Sequence, residues 1–174
     1  MTILITALLS LLFFSSATAQ APPSPPPQLT VQAQEFLDAH NQARAQVGVG
    51  PLKWSPILAN ASARLVMYQR VKNNCQFADL SSNKIKYGAN QLWAQGGSPV
   101  GPKTVVDAWV AEKKYYHHEN NSCETNRQCG VYTQIVWKKS VELGCSQTSC
   151  VKNGTSLIVC FYNPPGNIVG ESPY

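Results

Sequence analysis

Six cysteines constrain this chain more than any other feature, because they are even in number and follow an apolar leader. That combination indicates three disulfide bonds formed in an oxidising compartment. Zinc binding is the alternative use of clustered cysteines, but the sequence holds no Cys-x-x-Cys pair. Spacing alone does not choose among the pairings that six cysteines allow.

The leader, residues 1–19, is predicted to be a cleaved signal peptide. Leu4 to Phe14 is mostly apolar, and Ala17-Thr18-Ala19 forms a small-residue cleavage pattern. The apolar run is shorter than the ~20 residues that a membrane-spanning helix needs. Prolines dominate the next segment, residues 20–30, which is expected to be an extended linker. Residues 31–174 remain for one domain, which is expected to be secreted into the extracellular space.

Three Asn-x-Ser/Thr sequons agree with secretion and make Asn60, Asn120 and Asn153 candidate glycosylation sites. Asn60 is the least favoured of them because it lies within a predicted helix.

The net charge of +5 comes from a chain in which only 13% of residues are charged. No long Lys/Arg run or aromatic-interleaved basic stripe is present, so nucleic-acid binding is not expected. A mild affinity for acidic wall polymers or anionic surfaces stays open.

Hydrophobic periodicity predicts helices first and strands afterwards, which defines an α+β fold. The predicted helices cover residues 31–47, 56–72 and 103–116. The buried stripe of the second helix is predicted to be Ile57, Leu58, Ala61, Leu65 and Tyr68. The predicted strands are Tyr132–Trp137, Glu142–Ser146 and Ser156–Tyr162, with a short strand or bridge near Gly88–Trp93. Trp54, Trp109 and Trp137 are expected in the core.

Six segments occur in the order in which a known family carries its motifs. They are His40–Arg44, Pro51–Trp54, Tyr87–Asn90, Trp109–Lys113, Cys129–Trp137 and Cys160–Asn167. Together they resemble the plant pathogenesis-related protein family one, a branch of the secreted CAP superfamily (cysteine-rich secretory/antigen 5/pathogenesis-related). The variants Gly-Ala-Asn-Gln-Leu-Trp and Gly-Val-Tyr-Thr-Gln are similar to a divergent, pistil-expressed subgroup.

The resemblance implies an α-β-α sandwich in which three to four helices flank a small antiparallel sheet. It also implies the disulfides Cys75–Cys150, Cys123–Cys129 and Cys145–Cys160. A monomer is expected.

Members of the family carry two histidines and two glutamates in a central cleft. Carried over by position, these become His40, Ala89, Glu112 and Val131, so half of the ionisable groups are missing. Catalytic zinc needs at least three protein ligands, and neither a metal nor another cofactor is therefore expected. The interpretation preferred for His40 is a buried side chain hydrogen-bonded to Glu112, which would join the first helix to the third.

The resemblance implies a non-enzymatic defence protein that binds sterol or another lipid and acts on microbial membranes. Tyr115 and Tyr116 are candidate lining residues. One alternative is a precursor that is cut between Asn163 and Pro164, releasing residues 164–174 as a peptide for a receptor. That tail can equally pack along the sandwich as a structural element. A reproductive or wall-polymer interaction module and an apoplastic hydrolase are further alternatives, although no G-x-S-x-G motif is present.

Overall fold

A computed structural model describes residues 28–80, 86–96, 100–150 and 154–174. The predicted signal peptide, most of the predicted linker and the candidate glycosylation site Asn153 lie outside these residues. The helices are α1 (Val31–Ala45), α2 (Pro56–Lys72), α3 (Pro102–Val110) and α4 (Gly130–Ile135). The strands are β1 (Lys53–Trp54), β2 (Gly88–Gln95), β3 (Tyr116–His117), β4 (Ser122–Cys123), β5 (Glu142–Cys150) and β6 (Thr155–Asn163). Short 3-10 turns span Ala111–Tyr115 and His118–Asn120.

The helix starts follow from local chemistry. Thr30 precedes α1, and its side-chain oxygen accepts the backbone N–H of Ala33 at 3.2 Å, which satisfies one of the unpaired donors of the first turn. The helices α2 and α3 both begin at a proline, Pro56 and Pro102. Proline suits the first helical position because it has no N–H to leave unpaired.

The main sheet has the strand order β1-β5-β6-β2. Both β5 and β2 run antiparallel to β6, whereas the two-residue β1 is parallel to β5. A separate small ribbon pairs β3 with β4. The α+β fold is confirmed, and the sheet departs from a purely antiparallel one at the short edge strand β1.

The strand β6 separates the two halves of the core. Every residue from Thr155 to Tyr162 is buried, so helices cover both faces of this strand. Alternate side chains pack into different clusters, as the two-residue period of a strand requires. Ile158, Cys160 and Tyr162 join residues of α1, α3 and α4. Leu157, Val159 and Phe161 join residues of α2. This arrangement is the expected α-β-α sandwich.

The six cysteines pair in the way that the resemblance implies. Cys75–Cys150 ties the segment after α2 to the end of β5. Cys123–Cys129 closes the loop before α4. Cys145–Cys160 joins the paired strands β5 and β6. Each layer of the sandwich is thus linked covalently to a neighbouring element.

The third predicted helix, residues 103–116, ends at Val110 and continues as a 3-10 turn. Two further sequence predictions are wrong. The run Tyr132–Trp137 is not a strand, because most of it lies in α4. The side chains of α2 that are buried are Leu58, Ser62, Val66 and Gln69, whereas Ile57 and Tyr68 are 70% and 57% exposed. The helix turns its polar Ser62 inward because the Ser62 hydroxyl donates to the carbonyl of Gly144 at 2.8 Å. In the described part of the chain, no helix is long and apolar enough to cross a membrane.

We expect Gly144→Ala to lower the free energy of unfolding by about 2 kcal/mol, because α2 lies directly on β5 at this position. A Cβ added at Gly144 would stand 2.1 Å from the backbone nitrogen of Ala59 and 2.5 Å from the carbonyl carbon of Leu58. Urea denaturation measures the loss. Gly50→Ala is the matched control, because a Cβ there meets no atom within 4 Å. Equal midpoints for the two variants would contradict this packing.

Candidate functional site

His40 is fully buried on α1, with 0% of its surface exposed. Its Nδ1 lies 2.7 Å from the carbonyl oxygen of Phe36, and its Nε2 lies 2.8 Å from the hydroxyl of Tyr162. A carbonyl can only accept, so Nδ1 carries the proton and a neutral ring accepts the Tyr162 hydroxyl at Nε2. Burial lowers the pKa of His40 to about 4, and the positive charge of Arg44 acts in the same direction. His40 is therefore a neutral structural residue at neutral pH.

The predicted hydrogen bond between His40 and Glu112 is wrong. Glu112 lies in the 3-10 turn after α3, where its Oε2 accepts the backbone N–H of Val131 at 3.2 Å. Val131 is in the first turn of α4, whose N–H groups have no acceptor within the helix. Burial raises the pKa of Glu112, and hydrogen bonds from the backbone of Tyr132 and Val131 oppose that shift. The carboxylate thus caps α4 and connects it to the end of α3.

The four positions carried over from the family cleft do not gather around His40. Ala89 pairs with Phe161 across the β2–β6 ladder and packs in the cluster on the α2 face. His40 bonds to Tyr162, which faces the opposite side of the sheet. Val131 packs against the same cluster as Tyr162. His40 and Ala89 are consequently separated by the sheet.

The chemistry available for metal binding is limited. Within the described ranges, no group of three or more His, Cys, Asp or Glu side chains comes together.

We expect the oxidised protein to show no zinc site tighter than micromolar in calorimetry at neutral pH, because Glu112 is engaged as a helix cap and His40 has both ring nitrogens bonded. Stoichiometric tight binding that Glu112→Gln abolishes would contradict this expectation.

The buried cation Arg44 is a core residue that the sequence analysis did not identify. Its exposure is 1%, and its guanidinium donates to four backbone carbonyls. Nε bonds to Gly50 at 2.7 Å, Nη1 to Ile135 and Trp137 at 2.9 Å each, and Nη2 to Ser140 at 2.9 Å. Burial lowers its pKa to about 10. Its position four residues after His40, on the same helical face, was the signal available in the sequence.

The C-terminal tail, residues 164–174, is packed rather than free. Near its start, the hydroxyl of Ser140 donates to the Pro164 carbonyl at 2.7 Å, and the N–H of Gly166 donates to Gln134 Oε1 at 3.0 Å. Gly166 also lies against the Trp137 ring, where an added Cβ would be 2.7 Å from Cγ. Around the proposed cleavage point, Pro164 is exposed, whereas Asn163, Pro165 and Gly166 are half-buried.

Further contacts hold the rest of the tail. The backbone N–H of Lys138 donates to the Pro173 carbonyl at 2.7 Å, and Lys139 forms a 2.7 Å ion pair with Glu171. The terminal Tyr174 stacks on His118, with ring centroids 4.3 Å apart. The intact tail is therefore packed along the sandwich, whether or not it is later cut.

The two tyrosines proposed to line a lipid groove are engaged in other contacts. Tyr116 packs against the rings of Tyr132 and Tyr174, at centroid distances of 6.0 and 6.2 Å. The Nζ of Lys114 and the Cζ of Arg127 lie over the ring of Tyr115, at 4.9 and 4.7 Å from the ring centroid. Both tyrosines stabilise the region around β3, and Tyr116 also lines a mixed polar and apolar cleft of about 260 Å³ next to the C-terminal tail.

An apolar cleft lies elsewhere, beside the Cys75–Cys150 disulfide. Its volume is about 480 Å³, and it is lined by Asn74, Cys75, Gln76, Phe77 and Trp93. Phe77 and Trp93 are 56% and 41% exposed. A cleft of this volume with aromatic walls is of the size that binds small apolar ligands. Sequence periodicity could not find it, because Phe77 follows α2 and Trp93 lies on β2, and the fold brings them together.

Two of the candidate glycosylation sites can be located. Asn60 is exposed on the outer side of α2, and Asn120 is exposed in the 3-10 turn after β3. The hydroxyl of Ser122 donates to Asn120 Oδ1 at 2.7 Å. Both asparagines are accessible for modification.

Residues 37–162 match the model of the cysteine-rich secretory protein (CAP) family. The chain is 64% identical to the STS14 protein of Solanum tuberosum over 142 residues, covering 82% of this chain and 65% of that protein. It is 43% identical to pathogenesis-related protein 1 of Arabidopsis thaliana, covering 81% of each chain. Pathogenesis-related leaf protein 4 of Solanum lycopersicum is 39% identical, with 99% of this chain and 96% of the relative covered.

Solved structures share the fold. The venom allergen-like protein 4 of Schistosoma mansoni aligns with a TM-score of 0.62 and 27% identity, covering 84% of this chain and 95% of that one. A structure of NaASP2 with Zn²⁺ aligns with a TM-score of 0.65 and 21% identity, covering 87% and 90% of the two chains.

Proposed function

This chain belongs to the CAP family, in its plant pathogenesis-related branch, and we propose that it is a secreted, non-enzymatic defence protein that binds sterol or another lipid. Its signal peptide is removed on export, and the mature protein acts outside the cell, in the apoplast or wall, against microbial membranes. Three disulfides agree with that compartment.

The proposal of a non-enzymatic role is supported by the contacts of the ionisable residues His40 and Glu112. His40 has both ring nitrogens bonded inside the core and no exposed surface. Glu112 caps α4 through the Val131 N–H. A general acid or base must reach a substrate proton, and the buried His40 cannot do so without unfolding its surroundings.

The observation that carries the lipid proposal is the cleft between Phe77 and Trp93. An apolar ligand gains about 25 cal/mol for each Å² of apolar surface removed from water. Two aromatic side chains that are half exposed in the free protein offer such surface. The Cys75–Cys150 disulfide fixes one wall of the cleft, so little ordering is needed when a ligand binds.

Titration of the oxidised protein with a radiolabelled sterol tests the proposal. We expect saturable binding that Phe77→Ser combined with Trp93→Ser weakens about thirtyfold, through the loss of roughly 2 kcal/mol of apolar contact. Tyr115→Ser is the matched aromatic control and should bind like the wild type. Absence of saturable binding, or a loss confined to Tyr115→Ser, would exclude this cleft as the lipid site.

Release of the C-terminal peptide is a second candidate function, favoured by the exposure of Pro164, which directly follows the proposed cleavage point at Asn163. The packed tail adds a requirement, because a cut alone leaves the contacts of Gly166, Pro173 and Tyr174 in place. We therefore expect release to need displacement of the tail from α4 as well as cleavage. Mass spectrometry of extracellular fluid tests this, since intact C termini alone after wounding or infection would exclude it.

A further inference from the structure

The outward face of α2 is an unpartnered apolar surface. Among the large apolar side chains that are exposed in the described part of the chain, four lie on this one helix. They are Ile57 at 70%, Met67 at 48%, Tyr68 at 57% and Val71 at 67% exposure. We call these four residues, with Arg64, the outer stripe.

The outer stripe follows from helical geometry. Ile57, Arg64 and Val71 are seven residues apart, which is about two turns of helix, and they share one side. Met67 and Tyr68 stand on either side of that line. The residues that α2 buries, Leu58, Ser62, Val66 and Gln69, point toward the sheet. The stripe is thus directly opposite the packed face and runs along most of a helix about 25 Å long.

The charges on α2 all have one sign. The helix carries Arg64, Arg70 and Lys72, and it contains no Asp or Glu. Arg64 is in the middle of the stripe, and the other two lie near its end. An apolar stripe bordered by Lys and Arg is the pattern of a helix that lies in the plane of an anionic membrane surface.

From this pattern we propose that the outer stripe docks the protein on anionic lipid bilayers, with Ile57, Met67, Tyr68 and Val71 inserted at the headgroup level. Arg64 is the middle residue of Pro56–Lys72, so a two-fold, antiparallel contact centred on α2 would place Arg64 against its own equivalent. Like charges in direct contact disfavour that dimer.

Membrane docking through the outer stripe is a different activity from sterol binding and does not depend on it. None of its residues lines the Phe77–Trp93 cleft. The backbone N–H of Cys75 nevertheless bonds to the Gln69 carbonyl at 2.9 Å, which holds the edge of the cleft against the last turn of α2. A protein docked through α2 would therefore hold the cleft close to the bilayer.

Co-sedimentation with sterol-free vesicles tests the surface separately from the cleft. Wild-type protein should bind vesicles of phosphatidylcholine with phosphatidylglycerol, bind phosphatidylcholine alone much less, and lose binding as salt is raised. The double variant Ile57→Ser with Val71→Ser should lower the partition coefficient roughly thirtyfold. The matched control is Ile168→Ser with Val169→Ser, the same pair of changes at side chains that are 44% and 100% exposed on the tail.

Arg64→Glu provides an independent variant, because an exposed charge reversal keeps the helix and should weaken anionic vesicle binding about thirtyfold. Equal binding by the two double variants, or no preference for anionic vesicles, would overturn the proposal. Sedimentation of the wild type as a dimer that Ile57→Ser with Val71→Ser converts to a monomer would also overturn it, in favour of a contact between copies. Failure of the sterol titration with normal vesicle binding would instead count against the cleft alone.

The candidate glycosylation site Asn60 adds a second readout, because it lies on the same outer side of α2, between Ile57 and Arg64. A glycan there would hold the stripe away from a bilayer. Protein that carries this glycan should therefore bind anionic vesicles more weakly than Asn60→Gln from the same host. Equal binding by the glycosylated protein and Asn60→Gln would place the membrane contact elsewhere.

Discussion

Replacing the buried Arg44 by methionine is expected to lower the free energy of unfolding by about 4 kcal/mol. The change preserves much of the apolar stem but removes all four donors to the carbonyls of Gly50, Ile135, Trp137 and Ser140. A buried acceptor left without a partner costs roughly 1–3 kcal/mol. Three of these hydrogen bonds are fully buried, so water cannot replace the guanidinium without opening the core.

Urea denaturation of the oxidised proteins measures this effect. Arg64→Met is the matched control, since Arg64 is exposed on α2, and exposed substitutions usually change stability by less than about 0.5 kcal/mol. A loss below about 1 kcal/mol for Arg44→Met would mean that the junction between α1 and residues 135–140 does not depend on this cation.

Acidification should destabilise the protein through His40. The pKa of His40 falls from 6.5 to about 4 in the folded state, mainly because of burial. The unfolded chain therefore takes up its proton first, and the stabilising contribution is complete above pH 6.5 and is lost as the pH falls toward 4. A shift of this size corresponds to about 3 kcal/mol.

The measurement is the free energy of unfolding between pH 7 and pH 4 for the wild type and for His40→Gln, which cannot titrate at this position. The variant should be less stable at pH 7, and the difference between the two proteins should shrink as the pH falls. Subtracting the two curves removes the contribution of other groups such as Glu112, whose raised pKa acts in the opposite direction. A difference that stays constant with pH would contradict a neutral, buried His40.

The sequence predicted the layers of this fold better than the details of its elements. The motif segments and the hydrophobic periodicity correctly predicted three helices, two C-terminal strands and an α+β fold, although β1 and β2 come before α3 in the chain. The run Tyr132–Trp137 looked like a strand because it is rich in β-branched and aromatic residues. Tertiary contacts override that preference, because Glu112 caps α4 and Gln134 binds the tail.

The candidate site was predicted in part. Burial of His40 could be expected from the helical period, but its partner Tyr162 lies 122 residues away, and local patterns carry no information about such pairs. Ile57 and Tyr68 of α2 were assigned to the core, although they are exposed, because hydrophobicity alone does not distinguish a packed face from an exposed one. Inward-facing Ser62 and Gln69 reveal the real orientation, and the burial of Ser62 depends on a hydrogen bond to Gly144, which lies 82 residues away in the chain.

The central proposal, that this protein binds lipid, is tested most directly by the lipid that accompanies it from its native compartment. Mass spectrometry of lipid extracted from the protein purified from plant extracellular fluid gives that measurement. We expect a sterol or another lipid at close to one molecule per chain with the wild type, and its loss with Phe77→Ser combined with Trp93→Ser. A wild-type protein free of lipid, or equal lipid in both proteins, would contradict the account.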